Sequence, residues 1–359
     1  MGRRKNQYIF ASEMNKGHKK HRIRNTVLLV LPVILIVAWV LNITISRRVV
    51  LKDERLTILD LPDDLEGYSI LHLSDLHGAR YGDGQKAIRN ALGNTRYSCV
   101  VMTGDMLGRN GDAEPLLELI ALMPPDVPKF LIPGDTDGPL TESKAHSSLS
   151  VYKPWVEQLR EAGIQVLDLP VLITREKGRI WFVPEELYAL DLEGMKGVFE
   201  KQLEDLNERA TSLTPDDAAR VRVIEYELQR IETLEETKKE FAPTDIQVVL
   251  THTPLSQEYV KDLISWTDKE DLFSMRYASL ILAGHYNGGQ WRLPGIGPVY
   301  VPELGWFPED SLVQGLSYLE GVPQYISPGL GSDPHYRYQP GRVFNSPTIT
   351  RITLTRKAN

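Results

Sequence analysis

The sequence predicts an α/β domain that is carried on one membrane-spanning helix and interrupted by a helical hairpin. Three observations predict this fold class. From residue 55 onward, short strand-like apolar segments alternate with helical ones, and three successive strands end in an acidic turn that contains glycine. Residues 26–45 contain no charged side chain. Residues 190–241 are rich in charge, with apolar residues recurring every three or four positions.

The uncharged segment at residues 26–45 is long enough for a helix to cross a hydrocarbon core of ~30 Å. A cleaved signal peptide is the competing interpretation, but no convincing small-x-small cleavage site follows the segment. Eight Lys or Arg residues lie within residues 1–25, so the positive-inside rule places the N-terminus in the cytoplasm. We therefore expect a basic cytoplasmic tail (1–25), a single-pass cell-membrane anchor (26–45) and a large extracytoplasmic domain (47–359).

The composition is that of an ordinary globular protein, with 42% apolar and 25% charged residues among 359. Residues 1–25 have a net charge of +7 and the whole chain has −7, so the remainder has −14. An acidic main domain argues against nucleic-acid binding, which depends on clustered cations. Cys99 is the only cysteine, and this excludes an intrachain disulfide.

Residues 68–78, YSILHLSDLHG, form the segment around which the rest is organised. Here an apolar strand ends in Asp75 and His77, an oxygen and a nitrogen ligand that can meet one cation at an irregular strand end. His72, inside the strand, is interpreted as a packed or edge histidine. In α/β sheets the carboxyl ends of strands are where chemistry is placed.

Two further strands follow the same rule. Residues 97–103 lead into Gly104 and Asp105, and residues 129–133 lead into residues 134–137, GDTD. Helical stretches separate these strands, at residues 85–92 and 114–123. The region therefore has β-α-β-α-β organisation.

The second half of the chain also shows strands that end in metal-ligand residue types. Residues 246–250 lead into His252, and residues 280–283 lead into His285 and Asn287. Other short strands are predicted at 55–61, 164–169, 171–174, 179–183, 290–293, 298–301, 323–327 and 348–354. The strands near the C-terminus suit a second sheet with antiparallel pairs.

The charged stretch at 190–241 interrupts this pattern. Thr214 and Pro215, followed by two acids, form a helix start with a threonine N-cap and proline in the first turn. The stretch is therefore predicted to be a helical hairpin. Its functional interpretation is a lid or an arm for a protein partner, and the alternative is a solvated antiparallel pair that buries one apolar stripe on its host.

Together the strand ends carry an ordered set: Asp-x-His at 75–77, Gly-Asp at 104–105, Gly-Asp-Thr-Asp at 134–137, His252, and Gly-His-x-Asn at 284–287. This set resembles the calcineurin-like metallophosphoesterases, whose pattern runs Asp-x-His, Gly-Asp-x-x-Asp, Gly-Asn-His-Asp/Glu, a lone His and Gly-His-x-His. The likeness covers about residues 56–354 without the hairpin, and the stretches SDLHG, RLPGIGPVY and SPGLG match the membrane-anchored bacterial branch. It implies a four-layer α/β/β/α sandwich of two mixed sheets.

The resemblance implies two divalent cations, which polarise a phosphoryl oxygen and bind the hydroxide that attacks phosphorus. Carried over position by position, it places Asp75 and His77 on the first metal and Asp105 between both metals. It places Asp135, His252 and His285 on the second metal, with Asn287 where the family has another histidine of the first.

Several positions depart from the family pattern. Asp135 replaces an asparagine and adds a negative charge, and Asn287 replaces a histidine. Because an amide oxygen is a harder ligand than imidazole, we expect Mn²⁺, with Fe, Zn and Mg as alternatives. Thr136 stands where the family has the histidine that helps the leaving group depart, a loss that typically costs roughly 10²- to 10⁴-fold. Gly108 replaces the second acid of Gly-Asp-x-x-Asp, although Arg109 beside it can meet a phosphate oxygen.

Two functions are compatible with this set. The first is a metallophosphoesterase restricted to phosphate esters or pyrophosphates whose leaving groups need little protonation, with phosphorylated small molecules or lipid-linked groups as substrates. The second is a catalytically inactive relative that binds a partner or acts as a scaffold at the envelope. The retained ligands favour metal binding, whereas Thr136, Asn287 and Gly108 favour the inactive relative. His335, after the Gly-Leu-Gly loop, is a candidate replacement for the missing acid.

Overall fold

The computed structural model describes residues 11–144, 150–208, 214–334 and 341–356. Its helices are α1 (Ala11–Arg47), α2 (Lys86–Leu92), α3 (Glu114–Ile120), α4 (Pro154–Glu161), α5 (Leu192–Asn207), α6 (Pro215–Lys238) and α7 (Gln257–Trp266). Its strands are β1 (Val50–Thr57), β2 (Ser69–Leu73), β3 (Cys99–Thr103), β4 (Lys129–Ile132), β5 (Gln165–Val166), β6 (Val171–Thr174), β7 (Arg179–Pro184), β8 (Ile246–Leu250), β9 (Ala278–Ala283), β10 (Arg292–Leu293), β11 (Gly297–Pro298), β12 (Tyr300–Val301), β13 (Gly305–Trp306), β14 (Gly315–Leu319), β15 (Val322–Ile326) and β16 (Thr348–Thr355).

The domain is built on two six-stranded mixed sheets. The strand order is β1-β16-β2-β3-β4-β5 in the first sheet and β14-β15-β9-β8-β7-β6 in the second. Within the first sheet β2 to β5 are parallel, and within the second β7, β8, β9 and β15 are parallel. The carboxyl ends of the central strands therefore lie together at one edge of each sheet.

Apolar packing divides the domain into four layers. Between the sheets, Phe130 of β4 meets Phe182 of β7 with ring centroids 4.8 Å apart, inside the apolar core that the two sheets share. Outside the first sheet, helices α2, α3 and α4 bury side chains such as Leu116. Outside the second sheet, α7 packs Val260 and Leu263 onto β8 and β9. The predicted four-layer α/β/β/α sandwich is confirmed.

The inserted stretch consists of α5 and α6, which pack against each other. The helix start predicted at Thr214 is confirmed, because its Oγ1 accepts from the Asp217 N–H at 3.1 Å and the Asp217 carboxylate accepts from the Thr214 N–H at 3.0 Å. Leu234 of α6 is buried against Trp181 of β7, so this helix is fixed to the second sheet.

Some elements differ from the prediction. The first strand lies at Val50–Thr57 rather than 55–61, because its pairing with β16 begins at Val50 opposite Thr348. Helices α4 and α7 were not predicted. Both are short, and helices of this length are stabilised mainly by burying one face, as α4 does with Trp155 and Leu159.

Within α1, the stretch Leu28–Arg47 is long and apolar enough to cross a membrane, with a mean hydropathy of 2.7. Membrane spans and signal sequences both meet this description. The predicted cytoplasmic tail, residues 1–25, lies outside the residues whose side chains the structure describes.

Candidate metal centre

The first sheet delivers four of the seven predicted metal ligands to one edge. Asp75 and His77 follow β2, Asp105 follows β3 and Asp135 follows β4. Asp75 is fully buried and Asp105 is 3% exposed. The Asp135 side chain is 66% exposed and so stands at the rim.

The second sheet delivers the other three ligands to the facing edge. His252 follows β8, and His285 and Asn287 follow β9. The Gly284 N–H donates to the His252 carbonyl at 2.8 Å, which ties the two loops together. The His285 N–H donates to the Asp75 carboxylate at 2.9 Å, which joins the second sheet to the first at the site.

The backbone is left-handed at five of the predicted ligands. The φ angles are 52° at Asp75, 48° at His77, 54° at Asp105, 78° at His285 and 51° at Asn287. A non-glycine residue in this region costs on the order of 1 kcal/mol and persists only when its surroundings fix it. The strain is concentrated where strand ends turn their side chains toward one another.

Two glycines let the loops after β3 and β4 pack backbone against backbone. A Cβ on Gly134 would lie 2.3 Å from the Asp105 nitrogen, and a Cβ on Gly104 would lie 2.6 Å from the Gly134 Cα. Neither position has room for a side chain. The Gly-Asp pairs of the sequence therefore serve close packing as well as supplying a carboxylate.

Asp105 lies at the centre of the assembled side chains. Its Oδ2 atom is 3.7 Å from Nε2 of His77 and 3.4 Å from Nε2 of His252. Its Oδ1 atom accepts a hydrogen bond from the Thr136 N–H at 2.7 Å. One carboxylate oxygen is thus held by the backbone, and the other faces histidines from both sheets.

The remaining ligands form a second group beside the first. The Asp135 Oδ2 atom is 3.2 Å from Nδ1 of His285 and 3.8 Å from Nε2 of His252. The two histidine rings meet edge to face, with Nδ1 of His285 3.2 Å from Nε2 of His252. Among the described residues, two sets of side chains have ligand atoms close enough to share an ion, Asp135 with His252 and His285, and Asp75 with Asp105 and His252.

Asn287 presents a buried oxygen without a partner. Its Nδ2 atom donates to the His285 carbonyl at 3.1 Å, and its Oδ1 atom has no hydrogen bond to the part of the chain that the structure describes. An unpaired buried amide oxygen is costly, and a bound cation would satisfy it. Asn345 fixes this loop by donating to the Asn287 carbonyl at 2.8 Å. The donor set of carboxylates, imidazoles and one amide oxygen suits divalent cations.

Burial and mutual charge shift the protonation of this cluster. Burial raises the pKa of the Asp75 carboxyl, with His252 and His77 opposing it. Burial has the same tendency at Asp105, but the hydrogen bond and charge of His252 hold the pKa of Asp105 well below its usual range. Burial alone would lower the pKa of His252, yet its bond to Asp105 and the charge of Asp75 raise that pKa to about 10. A cation at this ring therefore displaces a proton.

Thr136, Arg109 and His335, which the sequence suggested for contacts with the phosphate or the leaving group, are not among these ligands. Thr136 lies beside Asp105 through its backbone, and its buried Oγ1 has no partner among the described residues. Arg109 is exposed in the turn after Gly108 and forms no ion pair with the part of the chain that the structure describes. His335 falls outside the described residues.

Two more side chains shape the centre: Asp137, which the sequence placed in the strand-end set at 134–137 without a role, and Glu303, which the sequence did not indicate. Asp137 accepts hydrogen bonds from the N–H groups of Leu107 at 2.8 Å and Gly134 at 2.9 Å, and so clamps the loops after β3 and β4 together. Its place two residues after Asp135 could have suggested this. Glu303, between β12 and β13, lies 3.7 Å from Nε2 of His285. No local pattern distinguishes it from other surface acids.

A cavity of about 670 Å³ adjoins His252. One wall is α6, which contributes Tyr226, Glu227 and Arg230, and the opposite walls are loops at the ends of both sheets. Four acids line the cavity, Asp168, Glu185, Glu186 and Glu227. Arg230 pairs with Glu186 at 3.2 Å and Glu227 at 3.1 Å, so the lining keeps an excess of negative charge.

Comparison with known proteins gives one family match. A family model described as calcineurin-like phosphoesterase matches residues 68–287. Among solved structures, a phosphopantetheinyl hydrolase from Mycobacterium tuberculosis is similar with 13% identity and a TM-score of 0.37, covering 80% of this chain and 96% of its own. A putative 5′-nucleotidase from Staphylococcus aureus, in complex with alpha-ketoglutarate, is similar with 13% identity and a TM-score of 0.33, covering 81% of this chain and 55% of its own. A search of curated proteins found no match.

Proposed function

This chain belongs to the calcineurin-like phosphoesterase family, and on that premise we propose that it hydrolyses phosphate esters with two divalent cations held between its sheets. Metal-dependent hydrolysis of phosphoesters is the general chemistry of the family.

The position of Asp105 carries this proposal. Its Oδ2 atom faces Nε2 of His77 at 3.7 Å and Nε2 of His252 at 3.4 Å, so one carboxylate can serve both ligand groups. The first cation would be held by Asp75, His77, Asp105 and Asn287, and the second by Asp105, Asp135, His252 and His285. When bound, the cations would neutralise phosphoryl oxygens and activate water for attack on phosphorus.

Hydrogen bonds prepare the ligand atoms for this role. The Thr136 N–H occupies Oδ1 of Asp105 and leaves Oδ2 for cations. Nδ1 of His252 lies 2.8 Å from the Thr103 carbonyl, which favours the tautomer with a proton on Nδ1 and a free Nε2. Partners of this kind fix ring orientation, and their loss typically weakens metal binding by roughly 10- to 100-fold.

We expect Mn²⁺ rather than Zn²⁺ at this centre. The ligands include three carboxylates and an amide oxygen, which are harder than thiolate or an all-imidazole set. Fe, Zn and Mg remain the alternatives that the metal analysis below distinguishes.

The leaving group must depart with little help from the protein. The Thr136 hydroxyl is too weak an acid to protonate a leaving alkoxide as an imidazolium would, and its Oγ1 is buried. We therefore propose that the substrates are esters of acidic alcohols or pyrophosphates. Arg109, exposed in the turn after Gly108, is proposed to meet a phosphate oxygen.

The cavity beside His252 is proposed to bind the organic part of the substrate. This gives the hairpin a specific role, because α6 forms one wall through Tyr226 and Arg230. The negative excess of its lining favours an uncharged or cationic group over an anionic one.

Substrate comparison tests the cavity. We expect Glu227→Gln to lower kcat/KM for 4-nitrophenyl phosphocholine by a few fold, with little effect on bis(4-nitrophenyl) phosphate, because one charge–charge contact near the surface contributes about 0.5–1 kcal/mol. Glu225→Gln, an exposed position on the same helix outside the cavity lining, is the matched control. Equal effects of the two variants on both esters would remove the cavity from the proposal.

Metal analysis combined with hydrolysis assays tests the proposed reaction. The full-length protein, purified in detergent, is dialysed against Mn²⁺, Zn²⁺, Mg²⁺ or Fe²⁺, and its metal content is measured before assay on aryl phosphate monoesters and diesters. We expect two equivalents of metal and activity that Asp105→Asn abolishes. Stoichiometric metal without turnover on any ester would contradict hydrolysis and support the inactive, partner-binding alternative.

We further propose that α1 is retained as a membrane anchor with the large domain outside the cytoplasm. Specific contacts support retention, since Oδ1 of Asn42 accepts from the Phe344 N–H at 2.8 Å. Fusion of reporters that are active on one side of the membrane, placed after residue 359, tests the orientation. Reporter activity in the cytoplasm would refute it.

A further inference from the structure

Exposed apolar side chains are concentrated on two short hairpins, one of which carries Glu303 beside the candidate ligand His285. Outside α1, ten large hydrophobic side chains of the described residues are exposed, and seven of them lie between Leu293 and Tyr318. Ile296, Trp306 and Phe307 are 68%, 71% and 55% exposed. We call the surface formed by Leu293, Ile296, Trp306 and Phe307, on or next to the hairpins β10–β11 and β12–β13, the hairpin surface. Clustering of this kind marks an interaction surface.

The end of α1 contacts the domain close to these hairpins. Asn42 accepts from the Phe344 N–H at 2.8 Å, and the Ser346 hydroxyl donates to the Ile45 carbonyl at 3.1 Å. With a rise of about 1.5 Å per residue, Asn42 lies roughly 8 Å before the end of the helix. The domain therefore packs beside the last turns of the apolar helix and is not held away from it by a linker.

A ladder of backbone pairs joins this contact to the hairpin surface. Val343, next to Phe344, pairs with Trp291. The Val299 N–H donates to the Trp291 carbonyl at 2.9 Å, and the Phe307 N–H donates to the Val299 carbonyl at 2.9 Å. Adjacent strands are about 4.8 Å apart, so Phe307 lies within about 15 Å of Val343.

Cationic side chains also surround the end of α1. A cavity of about 460 Å³ there is lined by Arg47, Arg80 and Lys86. Arg80 is paired with Glu114 at 2.7 Å, whereas Arg47 and Lys86 form no ion pair with the described part of the chain. Cations at this level are suited to anionic groups at a membrane surface.

We propose that the hairpin surface lies in the interfacial layer of the membrane that α1 spans, with Trp306 and Phe307 among the lipid headgroups. The inference rests on the proposed anchor and extends it from a tether to a docked orientation. Asn345, next to Phe344, donates to the carbonyl of the candidate ligand Asn287 at 2.8 Å. Docking would therefore hold the metal centre close to phosphates at the bilayer surface.

The lipid bilayer is favoured over a protein partner as the occupant of this surface. Only two residues separate the end of α1 at Arg47 from the start of β1 at Val50, so a domain anchored by α1 is kept against the bilayer. Aromatic side chains such as Trp306 are enriched at the headgroup level of membrane proteins. The apolar side chains of α1 and those of the hairpin surface would then share one membrane.

Spin labels can measure the depth of this surface in the full-length protein. Cys99 is the only cysteine, it is buried, and burial raises the pKa of its thiol to about 12, so it resists thiol reagents. A nitroxide attached after Trp306→Cys is measured in phosphatidylcholine nanodiscs, with oxygen as the lipid-soluble relaxant and a nickel chelate as the aqueous one. We expect the ratio of the oxygen effect to the nickel effect at position 306 to be several-fold higher than at a position in water.

Two further labels decide what a negative result means. Trp266→Cys replaces a tryptophan that is also 71% exposed, at the end of α7, and there the nickel chelate should be the more effective. Trp39→Cys, within α1, reports whether the anchor is in lipid.

If position 39 is in lipid while position 306 is as accessible to water as position 266, docking is refuted and the anchor stands. If position 39 is in water, the anchor and the docking both fail. Ile296→Cys supplies a second position should replacement of Trp306 prevent folding.

Discussion

The Nδ2 atom of Asn287 lies 3.5 Å from Nε2 of His77, although 210 positions separate the two residues in the chain. The contact joins a loop of the first sheet to a loop of the second. Oδ1 of Asn287 is buried without a hydrogen-bond partner among the described residues, so this oxygen can serve as a metal ligand beside His77. Asn287 is therefore the position at which metal preference should be most sensitive to substitution.

Asn287→His should shift the centre from Mn²⁺ toward Zn²⁺. Imidazole is a softer ligand than an amide oxygen, so we expect the ratio of zinc to manganese affinity to rise by about 10-fold or more. Asn287→Asp, which keeps an oxygen donor, should tighten both metals without this reversal. Competition dialysis followed by elemental analysis measures the ratios. An unchanged ratio in the histidine variant would show that Asn287 is not a ligand.

Thr136→His should extend activity to esters with poor leaving groups. A general acid contributes roughly 10²- to 10⁴-fold, and it does so mainly when the leaving alcohol is a strong base. We expect kcat on an alkyl phosphate to rise far more than kcat on 4-nitrophenyl phosphate, with a new descending limb in the pH profile. Thr136→Val, of similar volume, is the control and should leave the ratio between the two esters unchanged. Parallel changes on both esters would argue against a missing acid.

The convergence of the ligands was predictable, whereas their fine arrangement was not. Glycine and acidic residues after apolar strands place Asp75, Asp105 and Asp135 at strand ends, and parallel strands bring those ends together. Whether each side chain then faces a cation depends on backbone angles that the sequence does not specify. Asp137 shares a motif with Asp135, yet its carboxylate is occupied by backbone N–H groups.

Contacts between distant parts of the chain could not be predicted from the sequence, for a different reason. Glu303 approaches His285 from a hairpin, and Phe344 contacts α1 across 302 positions. Neither residue belongs to a periodic pattern or a motif. Helices α4 and α7 were missed because their stability comes from burial against the sheets, which short segments do not display in isolation.

Burial of His72 should make the free energy of unfolding decrease in mild acid. Its ring is fully buried in β2, and burial lowers its pKa from 6.5 to about 3. The folded protein therefore keeps this ring neutral, whereas the unfolded chain takes up a proton below about pH 6.5. Because only the unfolded state gains this proton, the free energy of unfolding decreases as the pH falls from about 6.5 toward 3.

Chemical denaturation between pH 7 and pH 4 measures this contribution. One histidine adds a slope of up to about 1.4 kcal/mol per pH unit to the free energy of unfolding. His72→Gln, which can still donate to Oγ1 of Thr103, should be less stable at pH 7 but should show a shallower slope. The same slope in both proteins would assign acid sensitivity to the carboxylates alone.

Gly134→Ala should disturb the metal centre although it adds only a methyl group. The new Cβ would meet the Asp105 nitrogen at 2.3 Å and its Oδ1 at 2.4 Å, and backbone atoms at such distances have to move apart. We expect a loss of about 1–3 kcal/mol in the free energy of unfolding, as for other overpacked sites, together with weaker binding of both metals.

Gly197→Ala is the matched control, because nothing lies within 4 Å of a Cβ at that position in α5, and there alanine should stabilise by up to about 1 kcal/mol. Thermal unfolding with and without Mn²⁺ separates the two effects, since a purely structural defect would leave the stabilisation by Mn²⁺ unchanged. A Gly134→Ala protein that gains as much from Mn²⁺ as the natural chain would show that the backbone contact does not position Asp105 for metal.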